Sequence, residues 1–129
     1  MEEEVLDRLI EAAEEAAQNS YSPYSGFPVG AAVLTADGSI YAGANVENAS
    51  YGATMCAERV AVFKAVSEGQ DKILALAVYT NAANFAIPCG MCLQVVSEFA
   101  EDIPVIVAGD AGMKEFTLSE LLPHRFGEE

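Results

Sequence analysis

The chain has 129 residues, 20 of them acidic and 6 basic, and a formal charge of −14; that is enough for one domain with a sizeable core, with a surface that repels nucleic acid unless a local basic stripe exists. The six cations, Arg8, Arg59, Lys64, Lys72, Lys114 and Arg125, are scattered singly, so a nucleic-acid partner is not expected and a small, neutral or weakly charged ligand is. MEEEV carries no secretory pattern and the apolar run Ile73 to Val78 is too short for a bilayer, so a cytoplasmic protein is expected whose three cysteines are metal ligands or reactive thiols, not disulfides.

In chain order, residues 2–18 place Val5, Leu6, Leu9, Ile10, Ala13, Ala16 and Ala17 on one stripe with acids opposite, which predicts an amphipathic helix. NSYSPYSGFPVG breaks it into a loop. VGAAVLTADGSIYAGANV predicts two strands joined at Asp37-Gly38, a dipeptide suited to tight hairpins, and ENASYGAT is a second loop. Thr54 is the expected N-cap of a helix running to about Glu68 and stopped by Gly69. KILALAVYT reads as a strand buried on both faces, NAANFAIP as loop, Cys89 to Ala100 as helix and PVIVAG as another buried strand. FTLSELLP predicts a short strand or turn and then one helical turn, with HRFGEE as a tail. This order implies helices packed on a mixed sheet, with parallel pairing where strands and helices alternate, in one domain over residues 1–129.

Both cysteine clusters fall where a loop enters a helix. Cys89 and Cys92 are three apart and share a face of a first turn, where the positive end of the helix favours thiolate. Alone, that pair serves equally as a redox couple or as half of a structural zinc site. Cys56 adds a third sulfur at the start of another helix and leaves no fourth, and zinc sites with three protein ligands and an open position are the catalytic kind. The sole histidine, His124, lies in the tail and reads as an exposed residue. An open position calls for a proton carrier, and Glu58 is the candidate. Residues i and i+2 do not face each other on a helix, so Cys56 and Glu58 share a site only if the metal sits over the helix end. By itself Glu58 reads more simply as a first-turn acid favoured by the helix dipole. Three thiolates over-neutralise a divalent ion, and Arg59, donating to sulfur, would withdraw that charge; its plainer reading is a solvent-facing cation.

CAER followed by PCGMC resembles the signature of the zinc nucleoside deaminases. YSPYSGFPVGAAV, GANVENASYGATMCAERVAVFKAVSEG, PCGMCLQVVSEF and LSELLPHRF resemble, in order and spacing, the small homotetrameric cytidine deaminases, and cysteine rather than histidine as first ligand separates that branch from the polynucleotide and tRNA deaminases. The resemblance implies an α/β three-layer sandwich with a mixed, mostly five-stranded sheet between helices. It implies one zinc per subunit on Cys56, Cys89 and Cys92, Glu58 as proton shuttle and Arg59 on the thiolates. Phe27 would flank the pyrimidine, Asn45 and Glu47 would hold the ribose 3′-hydroxyl, the N–H of Ala57 would meet the pyrimidine O2, and the carbonyl of Ile87 the exocyclic amine. Ala49, Tyr51 and Phe126 would reach a neighbouring subunit's site. An amide and a carboxylate two apart suit a hydroxyl that both donates and accepts, although Asn45 to Asn48 also reads as a polar loop and Phe27 as a core aromatic.

The implied reaction is hydrolytic deamination of cytidine and 2′-deoxycytidine to the uridines with release of ammonia, in pyrimidine salvage. Leu93 departs from the family's usual arginine and removes a charge near the cysteine pair; Ile87 stands where serine or threonine is common, but its expected contact is through backbone. The alternatives are a deaminase of a modified cytosine nucleoside such as blasticidin S, a non-catalytic zinc-stabilised module, and a polynucleotide-editing deaminase, which the acidic surface opposes.

Overall fold

Alternation of side chains along four apolar strands builds the centre of this protein. The computed structural model describes residues 1–127; the final two residues of the expected 1–129 domain, Glu128 and Glu129, lie outside the described residues. Strands β1 (Gly30–Thr35), β2 (Ile40–Ala44), β3 (Ile73–Tyr79), β4 (Pro104–Gly109) and β5 (Gly112–Thr117) form one sheet in the order β2-β1-β3-β4-β5. Every neighbouring pair is antiparallel except β3 and β4. That parallel pair needs a crossover, and α3 (Gly90–Glu98) provides it.

The period of two sends Val33, Leu76, Val78, Val105 and Val107 to one face, where they form a core with α2 (Ala57–Ser67), α3 and the short α4 (Leu118–Leu121). Ala32, Ala75, Ala77 and Ile106 go to the other, beneath Leu9 and Ala13 of α1 (Glu3–Ala17). The result is the expected three-layer α/β sandwich. No described helix is long and apolar enough to cross a membrane.

Two elements differ from the sequence reading. β5 is a full strand of six residues, not a short strand or turn before α4. It escapes a hydrophobic count because it is an edge strand with one partly buried residue, Phe116, turned to the core. Thr54 does not cap α2; it closes a 3₁₀ turn over Tyr51–Ala53, and Cys56 occupies the N-cap position. The cause is a ladder outside the main sheet. Val46 and Met55 exchange N–H···O bonds of 2.9 Å in each direction, which keeps the chain extended until Cys56.

Close approach of the layers depends on absent side chains. A Cβ at Gly30 would lie 1.9 Å from the carbonyl oxygen of Ala13 in α1, and one at Gly43 would lie 2.5 Å from Val60 in α2. Those two glycines seat α1 and α2 on opposite faces of the hairpin. Gly30→Ala is expected to lower unfolding stability by at least the ~1–3 kcal/mol of an overpacked core, because the clash is with backbone that has no rotamer to yield. Urea unfolding checks this, and an unchanged midpoint would mean α1 is free to lift.

Candidate active site

The N-termini of α2 and α3 lie side by side on one face of the sheet, and each begins at a cysteine in the N-cap position whose side chain makes no capping bond. The sulfurs of Cys56, Cys89 and Cys92 all lie within 4.8 Å of one another, with Cys89 and Cys92 at 3.5 Å. Tetrahedral zinc with bonds of about 2.3 Å needs its sulfurs about 3.8 Å apart, so the donor set fits zinc in both chemistry and spacing. The cluster borders a cavity, which Cys56 and Cys89 both line.

The environment of these thiols already favours one anion. Cys56 is pulled down to about 5, first by the hydrogen bond from the Cys92 thiol and then, against its own burial, by Arg59. Cys92 is pushed up, first by that same bond and then by burial. Arg59 Nη2 donates to Cys56 Sγ at 3.4 Å, and Nη1 to Met91 Sδ at 3.5 Å. Its guanidinium therefore faces sulfur, not solvent. Leu93, where the family's usual pattern has a cation, is 4 % exposed and fills the core beneath α3.

Glu58 occupies the second position of α2 and is only 5 % exposed. An acid placed for the helix dipole alone would sit in water. Burial lifts its carboxyl to about 7; its own backbone N–H and Arg59 oppose the rise, and the Cys56 thiolate adds to it.

A cavity of about 530 Å³ opens over Cys56 and Glu58. Phe27, Asn45, Glu47, Ala57 and Ile87 line it, as do Cys89 and several residues that the sequence did not single out, Ser25, Met55 and Phe85 among them. Ala57 is the first residue of α2, a position whose N–H has no acceptor within the helix. Phe85 packs against the core on one side and takes the Lys114 ammonium 5.7 Å from its ring centroid. It sits in an irregular loop with no period to mark it; the only available signal is a lone aromatic four residues before the cysteine pair.

Asn45 and Glu47 carry a structural duty that their spacing did not show. Asn45 Oδ1 accepts from Val29 N at 3.0 Å and from the Ser20 hydroxyl, and its Nδ2 donates to Phe27 O at 2.9 Å. Glu47 accepts from the N–H groups of Tyr24 and Ser25 at 2.9 and 3.1 Å and from the Ser25 hydroxyl. The Ser25 hydroxyl, ahead of the backbone donors, holds this carboxyl below the usual range. Together they pin the loop that carries Phe27 over the cavity.

Ala49, Tyr51, Phe126 and His124 do not join this constellation within the chain. Ala49 and His124 are exposed, Tyr51 is 76 % exposed and makes an edge contact with Tyr24 at 6.0 Å, and Phe126 is 89 % exposed.

A family model describing the cytidine and deoxycytidylate deaminase zinc-binding region matches residues 3–109. The chain is 47 % identical over 128 residues to a cytidine deaminase of Halalkalibacterium halodurans, covering 96 % of this chain and 97 % of that one. The crystal structure of cytidine deaminase from Burkholderia pseudomallei superposes with a TM-score of 0.88 at 39 % identity, covering 98 % and 100 % of the two chains. A blasticidin-S deaminase of Bacillus cereus is more distant, 34 % identical over 106 residues and 76 % of each chain.

Purified protein should carry close to one zinc per chain by elemental analysis, and a chelator should release it with the appearance of three titratable thiols. Iron, or three freely titratable thiols without treatment, would contradict the site. A second expectation concerns pH. The folded chain holds the Glu58 proton more tightly than the unfolded one, so ionising it costs stability as pH rises from about 4.5 through about 7. In the metal-free protein, Glu58→Gln should gain about 2–3 kcal/mol over the parent at pH 8, with the gain vanishing near pH 4. Urea unfolding at the two values is the test, and an equal difference at both would place this carboxyl in water.

Proposed function

The chain belongs to the cytidine and deoxycytidylate deaminase family, and from that premise we propose that it hydrolyses cytidine and 2′-deoxycytidine to uridine and 2′-deoxyuridine with release of ammonia. The observation that carries this reading is a buried carboxyl, Glu58, beside three converging thiols at the floor of an open cavity. A structural zinc site is closed by four protein ligands and needs neither the acid nor the opening.

Cys56, Cys89 and Cys92 would hold zinc, which when bound supplies a Lewis acid that acidifies water at its open position. Glu58, buried at the cavity floor beside the three sulfurs, is placed to take a proton from the attacking water and give it up again. It delivers that proton to N3 as the water oxygen bonds to C4, then relays the remaining proton of the new C4 hydroxyl to the exocyclic nitrogen, so that the C4 carbonyl forms, the C4–N bond breaks and ammonia leaves. Arg59 draws charge from the Cys56 sulfur.

Phe27 flanks the ring and the Ala57 N–H meets the pyrimidine O2, while the Ile87 carbonyl accepts from the amine. Asn45 retains one amide hydrogen, and Glu47 retains carboxylate lone pairs, for the ribose 3′-hydroxyl. Residues 1–129 act as one catalytic domain. In a homotetramer, Ala49, Tyr51 and Phe126 contribute to a neighbour's site, which accounts for large aromatics left in water in the single chain. The enzyme works in the cytoplasm, in pyrimidine salvage. Deamination of a modified cytosine nucleoside such as blasticidin S is the second reading, favoured only by the more distant relative.

Glu58→Gln keeps the size and position of the side chain and removes the proton carrier. It should retain zinc while turnover of cytidine falls at least ~10²–10⁴-fold. Ammonia release from cytidine, deoxycytidine, cytosine, blasticidin S and single-stranded DNA, measured for parent and variant, tests residue and substrate together; near-parental turnover in the variant, or blasticidin S as the preferred substrate, would overturn the respective assignment.

A further inference from the structure

Pro123 follows the end of α4, and the segment beyond it is neither helix nor strand, so no regular backbone ladder holds it. Instead four hydrogen bonds tie it to α3 and to the residues just after that helix. Gln94 Nε2 donates to the Phe126 carbonyl at 3.1 Å, and the Phe126 N–H donates back to Gln94 Oε1 at 3.1 Å. One residue earlier, Arg125 Nη1 donates to the carbonyls of Ser97 and Ala100 at 2.8 and 3.2 Å. The last turn of α3 has no basic residue of its own, so Arg125 brings a cation to that helix end from the tail.

The division of labour is unusual for an aromatic near a terminus. A phenylalanine ordinarily anchors its segment by burying the ring, yet here the polar backbone does the anchoring and the ring stays 89 % exposed. The Gln94 amide makes both bonds at once because it offers a donor and an acceptor side by side, as a peptide group does. Gln94 lies two residues beyond Cys92, so on a helix it projects well away from the sulfur. Thus α3 holds a metal ligand on its buried side and the tail on another.

We infer that Gln94 is a positioning residue for the reaction, acting through Phe126: its paired bonds fix the exposed ring in the orientation that completes a neighbouring subunit's site. This rests on the composite-site reading above. The cost of ordering the ring is then met before substrate arrives, which places the effect in binding more than in the chemical step.

The experiment compares Gln94→Ala, Gln94→Glu, Phe126→Ala and the Gln94→Ala/Phe126→Ala double variant by zinc content, assembly mass, KM and kcat for cytidine. Gln94→Ala should keep zinc and assembly and raise KM about 5-fold with a smaller change in kcat. Gln94→Glu keeps the acceptor for the Phe126 N–H but loses the donor to its carbonyl, and should fall between. The double variant should be no worse than Phe126→Ala alone, since residues acting through one another are not additive. Additive losses, or a parental KM in Gln94→Ala when Phe126→Ala is impaired, would overturn the role of Gln94 and leave the composite site standing. Parental constants in Phe126→Ala would overturn the composite-site reading and this proposal with it.

Discussion

The site depends on two helix N-termini being brought within reach of a single ion. An α-helix leaves its first N–H groups without partners and a partial positive charge at that end, and proteins commonly satisfy both with a serine, threonine or aspartate cap. Here Cys56 and Cys89 take the cap positions of α2 and α3 and make no capping bond, so both helix ends face a cluster of sulfurs. The sheet enforces the meeting. α3 is the crossover of the parallel β3–β4 pair and must start beyond the end of β3, while Gly43 lets α2 settle onto the hairpin beside it.

Within one turn of α2 three neighbouring residues are given opposite environments. Cys56 is held towards the thiolate, Glu58 is driven towards the neutral acid by burial, and Arg59 lies against sulfur. A carboxyl in water would have lost its proton well below neutrality, and it is burial that lifts this one. The overall charge of −14 adds no specificity to this; the local arrangement does.

The loop carrying Phe27 shows how polar residues combine support with exposure to the cavity. Asn45 and Glu47 hold the segment from Ser20 to Val29 through backbone and hydroxyl groups and still line the cavity. Loss of Glu47 would release Ser25 as well as any contact with ligand, so its removal acts on the wall of the site and not on one hydrogen bond.

The sequence by itself determined the elements with a strong period: α1, the β1–β2 hairpin at Asp37-Gly38, and β3 and β4, because apolar spacing is a local property that burial must obey. The three cysteines at helix starts were legible along the chain as candidate ligands, and the fold brings their sulfurs within 4.8 Å of one another. Only the tertiary structure decided the rest. β5 is a strand because β4 offers it an edge, not because its own residues alternate; Thr54 lost the cap because Val46 pairs with Met55. Glu58 is buried at the cavity floor, not set in water as a dipole acid would be, because the packing around α2 covers it. Phe85 and the Gln94–Phe126 pair are invisible along the chain, because their partners lie 29 and 32 residues away and irregular backbone has no period to reveal a face.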